Sequence, residues 1–448
     1  MNKNIVFACG QGASKAMMTA IEKKVININN CVVVNSTAKD IPEDYVGRTI
    51  ILSKNPDAGC GKVREAARSM MMDFLENQEN AIPSIFGERN PSYAVIMTTS
   101  EGASGSGSSV ALASYISQVL ELPVVIILIT GFESDVRGIQ NTINYFKDIL
   151  GETDGTIAVR VVSNKKFLTN ENTTFDAEIK ANEEIANVLK VLQANDIQDS
   201  SHNIDDTDHI KLINNAGFMV TSEYKLAANQ KIKSDSEFIK LINNTIIYNS
   251  SIDFSPSASR IGVYINLNDN NLMSITNNVF NDIKEKFTKN GNVAEFFVHK
   301  QYDPNMPEYI RIIASGMEYP IDELQIICDT YTNKVKEINE TNATSNNNKF
   351  LNMLNGIDTN GVSDSNEVTS HHVDENKSKS FFSRSKFKTS HASAEVRNVV
   401  EHTNTVSTDS SVGVTVDTPV QQNNVNQFRQ DKFKATSKNK VKIDETSL

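Results

Sequence analysis

Residues 98–113 read TTSEGASGSGSSVALA, or Thr98 to Ala113, and they set how the rest of the chain is read. An apolar run, Tyr93–Met97, precedes them as a buried strand, and Val110–Ile116 follows as a helix. The Gly/Ser run therefore sits where a strand passes to a helix. Small residues there let backbone N–H groups approach an anion, and the first helical turn adds unpaired donors and the positive end of its dipole. Such a run is either a phosphate cradle or a plain flexible connection. Neither G-x-x-x-x-G-K-[ST] nor G-x-G-x-x-G with a ribose-binding acid is present, so the two commonest nucleotide motifs do not account for it.

The segments on either side repeat the pattern. Asn4–Ala8, Cys31–Val34 and Thr49–Leu52 are short apolar strands that end in Cys9-Gly10-Gln11-Gly12, in Asn35-Ser36-Thr37, and in Ser53 to Gly61. Pro123–Ile129 is apolar throughout, as a strand covered on both faces must be, and Val159–Val162 runs into Ser163-Asn164-Lys165-Lys166. Strands that end in polar or glycine-rich turns, with helices between them, predict a parallel α/β sheet whose carboxyl-end loops converge on one ligand. Phe218–Thr221, Ile261–Leu267, Ala294–His299 and Tyr309–Ala314 predict further strands. Helices over Ser236–Thr245, Ser274–Phe287 and Ile321–Lys336 complete an α+β second half.

Composition narrows the class. A chain of 448 residues can hold two cores and additional sequence, and a net charge of −11 gives no global basic field for nucleic acid. Cys9, Cys31, Cys60 and Cys328 lack C-x-x-C spacing and read as reduced thiols, with no disulfide or zinc site expected. With neither a signal-peptide core nor a membrane-length apolar run, the expectation is a cytoplasmic protein.

Gly102-Ala103-Ser104-Gly105-Ser106-Gly107 resembles the G-G-T-G-[ST]-G signature of the tubulin/FtsZ superfamily, departing from it by two small-for-small exchanges. The resemblance extends over about residues 1 to 340, including Asp303-Pro304-Asn305-Met306, which is similar to a D-P-D-M segment of FtsZ-type activation domains. It is strongest toward the TubZ-type plasmid and phage segregation GTPases. It implies a GTP-binding domain over residues 1–174, a central helix over 175–200, a catalytic loop and activation domain over 201–340, and a disordered tail over 341–448.

The resemblance also assigns roles. Gly10, Gln11, Gly12, Asn35 and Ser36, with the signature Gly102 to Gly107, would hold the GTP or GDP phosphates. Gly59 and Gly61 would face the γ-phosphate, and Glu133 and Arg137 the ribose and phosphates. Asn164 would lie in a further site loop, and Asn182 would read guanine. From the residues alone, Glu133 and Arg137 make an ordinary helix-surface ion pair, and Asn187 rivals Asn182. Mg²⁺ would accompany the nucleotide, with no protein metal cluster expected.

After the central helix comes Asn203-Ile204-Asp205-Asp206-Thr207-Asp208. Acidic clusters in this position usually cap or turn the chain. The resemblance instead makes Asn203, Asp205 and Asp208 catalytic acids lent to the nucleotide of a neighbouring molecule, so that hydrolysis and head-to-tail filament growth would be one process. Past residue 341, Lys377 to Lys388 and Phe428 to Lys434 interleave basic residues with Phe. That pattern suits DNA, an anionic membrane or an acidic adaptor, or else a tail that is merely solvating. The TubZ resemblance implies a DNA-binding adaptor on the tail; a division filament, a phage tubulin and a non-hydrolysing nucleotide-binding scaffold stand as alternatives.

Overall fold

A computed structural model describes residues 4–55, 59–152, 157–193, 204–249, 252–291 and 293–344. Each of the ten expected strands forms. They are β1 Asn4–Cys9, β2 Cys31–Asn35, β3 Arg48–Ile51, β4 Tyr93–Thr99, β5 Val124–Thr130, β6 Ile157–Ser163, β7 Gly217–Lys225, β8 Arg260–Asn266, β9 Glu295–Gln301 and β10 Tyr309–Met317. The strand order is β3-β2-β1-β4-β5-β6-β7-β10-β8-β9, so both halves of the chain share one sheet. Pairing is parallel from β3 through β7 and antiparallel on both sides of β10. The halves meet where β6 pairs with β7 at two positions, Ala158 with Gly217 and Val159 with Phe218.

Strand periodicity sorts the core onto two faces. In β1, Ile5, Phe7 and Cys9 join one hydrophobic cluster while Val6 and Ala8 join the other. The same alternation in β5 sends Val124, Ile126 and Leu128 one way and Val125, Ile127 and Ile129 the other. Helices cover both faces, which is why these strands read as unbroken apolar runs. They are α1 Gln11–Glu22, α2 Arg64–Asn77, α3 Ala81–Arg89, α4 Ala103–Ser114, α5 Val136–Glu152, α6 Thr174–Gln193, α7 Asp206–Ile213, α8 Asp235–Asn249, α9 Asp269–Met273, α10 Asn278–Phe287 and α11 Ile321–Thr344.

Four elements depart from expectation. The Gly/Ser run is helical from Ala103 onward, so the connection after β4 is only Ser100 to Gly102. Intrinsic propensity opposes that helix; burial of every residue from Gly105 to Ser114 outweighs it. Its serines bond back to carbonyls one turn earlier, Ser108 Oγ to Ser104 O at 2.6 Å and Ser106 Oγ to Gly102 O. The helix expected over 274–287 is α10, which begins only at Asn278, and a short α9 precedes the expected span, with Asn268 Oδ1 capping it through the Asn271 N–H. Short α3 was not anticipated, and α11 runs eight residues past Lys336. Residues 194–200, Asn203 and the tail from 345 onward lie outside the described residues. No described helix is long and apolar enough to cross a membrane.

Candidate functional site

The site begins at the carboxyl ends of three adjacent strands, β2, β1 and β4. Gly10 leaves β1 with φ +83°, a conformation in which a side chain is strained, and a Cβ there would lie 2.9 Å from the Gly105 nitrogen. A Cβ on Gly105 would in turn lie 2.5 Å from the Cys9 carbonyl oxygen and 2.8 Å from Thr98 Oγ1. The turn after β1 and the first turn of α4 are thus in backbone contact. Glycine is the only residue that permits it.

The loop after β2 closes the third side. Ser36 Oγ and Ser104 Oγ are 2.6 Å apart, and Asn35 Oδ1 accepts the Ser36 N–H at 2.8 Å. Asn35 is fully buried, yet its Nδ2 has no hydrogen-bond partner among the described residues. A buried amide donor left unpaired loses its hydration without compensation. Here it fits a bound acceptor such as a phosphate oxygen. Neither α1 nor α4 has an acidic residue in its first turn, so both helix N-termini keep their positive dipole ends for an anion.

The remaining site residues arrive from the next loops. Gly59 and Gly61, with φ +55° at Gly61, are exposed before α2. That helix is anchored behind them: buried Arg64 pairs with Asp148 of α5, as does Arg68 at 3.1 Å, and a Cβ on Gly107 would lie 2.3 Å from the Arg64 carbonyl. Lys62 Nζ reaches Asp135 Oδ2 at 2.9 Å, tying the Gly59–Gly61 loop to the start of α5. Glu133 does not pair with Arg137. Its carboxylate takes Lys165 Nζ at 3.0 Å, while Arg137 is an exposed residue of the first turn of α5. The Glu133–Lys165 pair joins the loop after β5 to Asn164, which is half-buried at the end of β6.

Glu101, which the motif reading passed over, lies inside this ring. Its Oε1 accepts the Glu133 N–H at 2.7 Å, and its side chain fills the space a Cβ on Gly131 would need. Burial raises its carboxyl above the ordinary range, the Glu133 N–H opposes that, and the Asp135 and Glu133 charges add to it. A charged residue between a strand end and a glycine run was the available signal. Asn182 is half-buried on α6, whereas its rival Asn187 is exposed and bonds to Glu184 on the same helix.

Asp205 and Asp208 stand elsewhere. Asp205 caps α7, its Oδ1 accepting the Asp208 N–H at 2.7 Å, and Asp208 pairs with Lys211 at 3.2 Å. The helix packs against β8 and β10, and five strands separate β8 from β1. The next residue, His209, has its ring centroid 6.5 Å from that of Tyr93. Tyr93 begins β4, whereas the cradle follows its last residue, Thr99. Six residues of strand separate these ends, about 20 Å at the usual rise. The acids and the cradle therefore occupy opposite ends of the sheet. Among the described residues no cluster of three or more His, Cys, Asp or Glu could hold a metal ion.

Neither a protein-family model nor a curated protein matches the sequence. Solved structures do. The GTPγS-bound protofilament of CetZ2 from Haloferax volcanii aligns with a TM-score of 0.61 at 16% identity, covering 75% of this chain and 99% of that one. TubZ of Clostridium botulinum phage c-st aligns with a TM-score of 0.56 at 15% identity, over 75% and 99% of the two chains. An empty FtsZ dimer from M. jannaschii gives 0.55 at 18% identity, over 70% and 88%. Identities this low speak to architecture alone: over about three quarters of its length this chain shares the fold of those CetZ, TubZ and FtsZ structures.

Proposed function

We propose that the protein is a GTPase that assembles head to tail into filaments. The observation that carries this reading is the separation of the cradle from Asp205 and Asp208 at opposite ends of the sheet. One molecule cannot bring its own acids to its own nucleotide, but stacked copies can, and a heterologous contact of this kind propagates as an open filament. The GTPγS-bound CetZ2 protofilament supports the same arrangement by likeness.

The residues divide the work. Backbone N–H groups at Gly10 to Gly12 and in the first turn of α4, with Asn35 Nδ2 and the Ser36–Ser104 hydroxyl pair, hold the phosphates. Gly59 to Gly61 meet the γ-phosphate, Glu133 and Arg137 flank the ribose, Asn164 completes the wall, and Asn182 contacts guanine. Asp205 and Asp208 of the next molecule, with Asn203, orient the attacking water and accept its proton. Mg²⁺ would neutralise charge on the triphosphate; an ion held mostly by phosphate oxygens and water needs no all-protein cage. The finer role proposed is partition of plasmid or phage DNA, through a DNA-binding adaptor on the Lys/Phe-bearing residues 377–388 and 428–434.

The test is phosphate release and sedimentation of the full chain with GTP across a range of protein concentration. Turnover per molecule should rise steeply above a threshold concentration at which pelletable filaments form. Turnover independent of concentration, with nothing pelleted, sinks the reading. Pull-down with residues 345–448 as bait tests the adaptor.

A further inference from the structure

His209 follows Asp208 directly, is 3% exposed, and uses both ring nitrogens on other elements. Nε2 lies 2.6 Å from the Leu192 carbonyl oxygen in the last described turn of α6, and Nδ1 lies 2.8 Å from the Tyr264 hydroxyl of β8. A carbonyl only accepts, so Nε2 carries the proton and Nδ1 accepts the tyrosine O–H. The same carbonyl also accepts the Tyr93 hydroxyl at 2.8 Å, and Tyr93 takes the Asn4 amide at 3.1 Å. One oxygen thus receives β4 from one half of the molecule and α7 from the other. The His209 N–H in turn donates to the Asp205 carbonyl at 2.9 Å, so the ring and the acid-bearing turn move as a unit.

We propose that His209 is a positioning residue of the acidic turn: by clamping α7 to the Leu192 carbonyl it fixes where Asp205 and Asp208 stand relative to the nucleotide half. An apolar side chain would fill the same space, but only directional donors and acceptors hold a helix in register. The proposal rests on the GTPase reading for its consequence, not for its geometry.

Two measurements on the full chain separate these. His209→Gln keeps one donor and one acceptor on the side chain, whereas His209→Phe keeps volume alone. In filament-forming conditions kcat should fall at least tenfold in His209→Phe and stay within about threefold of the parent in His209→Gln, with GTP affinity within about twofold in both. Amide hydrogen exchange over residues 206–213 should accelerate at least tenfold in His209→Phe only. Unchanged exchange in His209→Phe, or a His209→Gln variant as impaired as His209→Phe, overturns the clamp. A parent protein that never hydrolyses GTP overturns the function instead, and the exchange comparison still decides the clamp. Should His209→Phe not fold, Tyr264→Phe removes the other partner and must show the same acceleration.

Discussion

At Gly105 a single hydrogen atom separates two backbones, because the nearest neighbours of an added Cβ are a main-chain carbonyl and a threonine hydroxyl that cannot retreat. Gly105→Ala should therefore cost about 1–3 kcal/mol through overpacking and weaken GTP binding at least tenfold. Gly61 has the same left-handed backbone preference as Gly10 but open space around it, so Gly61→Ala should cost about 1 kcal/mol and leave the fold intact. Melting temperature and fluorescent-nucleotide titration distinguish the two. Glu184 is a second isolated case: burial pushes its carboxyl up to about 7, against the pull of Arg160 3.6 Å away. The native state thus holds that proton more tightly than the unfolded chain does. Stability from this group is greatest at low pH and declines as pH rises from about 4.5 to about 7. Glu184→Gln should flatten that part of the pH–melting profile.

The same serine and aspartate chemistry organises whole elements. Asp205 is a helix cap by geometry and an acid by proposal, and substitution separates the roles. Asp205→Ser retains an acceptor for the Asp208 N–H and should melt with the parent, while Asp205→Ala should lose about 1 kcal/mol. Both should lose turnover, read as phosphate release in filament-forming conditions. Helix α4 explains why the motif was legible and its conformation was not. Gly102 to Gly107 announce close backbone approach, and Gly10, Gly105 and Gly107 make it, but Gly and Ser are poor helix formers. Burial along the helix, with neighbours that include Cys9, Arg64 and Ala67, outweighs that propensity. The pairing of Glu133 with Lys165 was not legible, since a strand-end loop chooses its ion pair in space and not by sequence spacing. His209 offered no signal at all, because its partners lie on α6 and β8.

Over the whole molecule, the strands were legible because central ones such as β1, β4 and β5 are buried on both faces and read as apolar runs, while the rest still carry short apolar stretches. Their union in one sheet was not, since strand order depends on contacts between distant segments. A hydrophobic cluster that includes Ile5, Leu128, Ile261 and Ile312 crosses both halves. Calorimetry should accordingly record one unfolding transition for residues of both halves, raised as a unit by GTP; two transitions, with GTP raising only one, would contradict it. The β6–β7 junction adds a further consequence. Two rungs of ladder join the six strands from β3 to β6 to the four strands β7, β10, β8 and β9, fewer than join any other neighbouring pair of strands in the sheet. Any strain a longitudinal neighbour imposes would gather at Ala158 and Val159, the narrow waist of an otherwise broad plate.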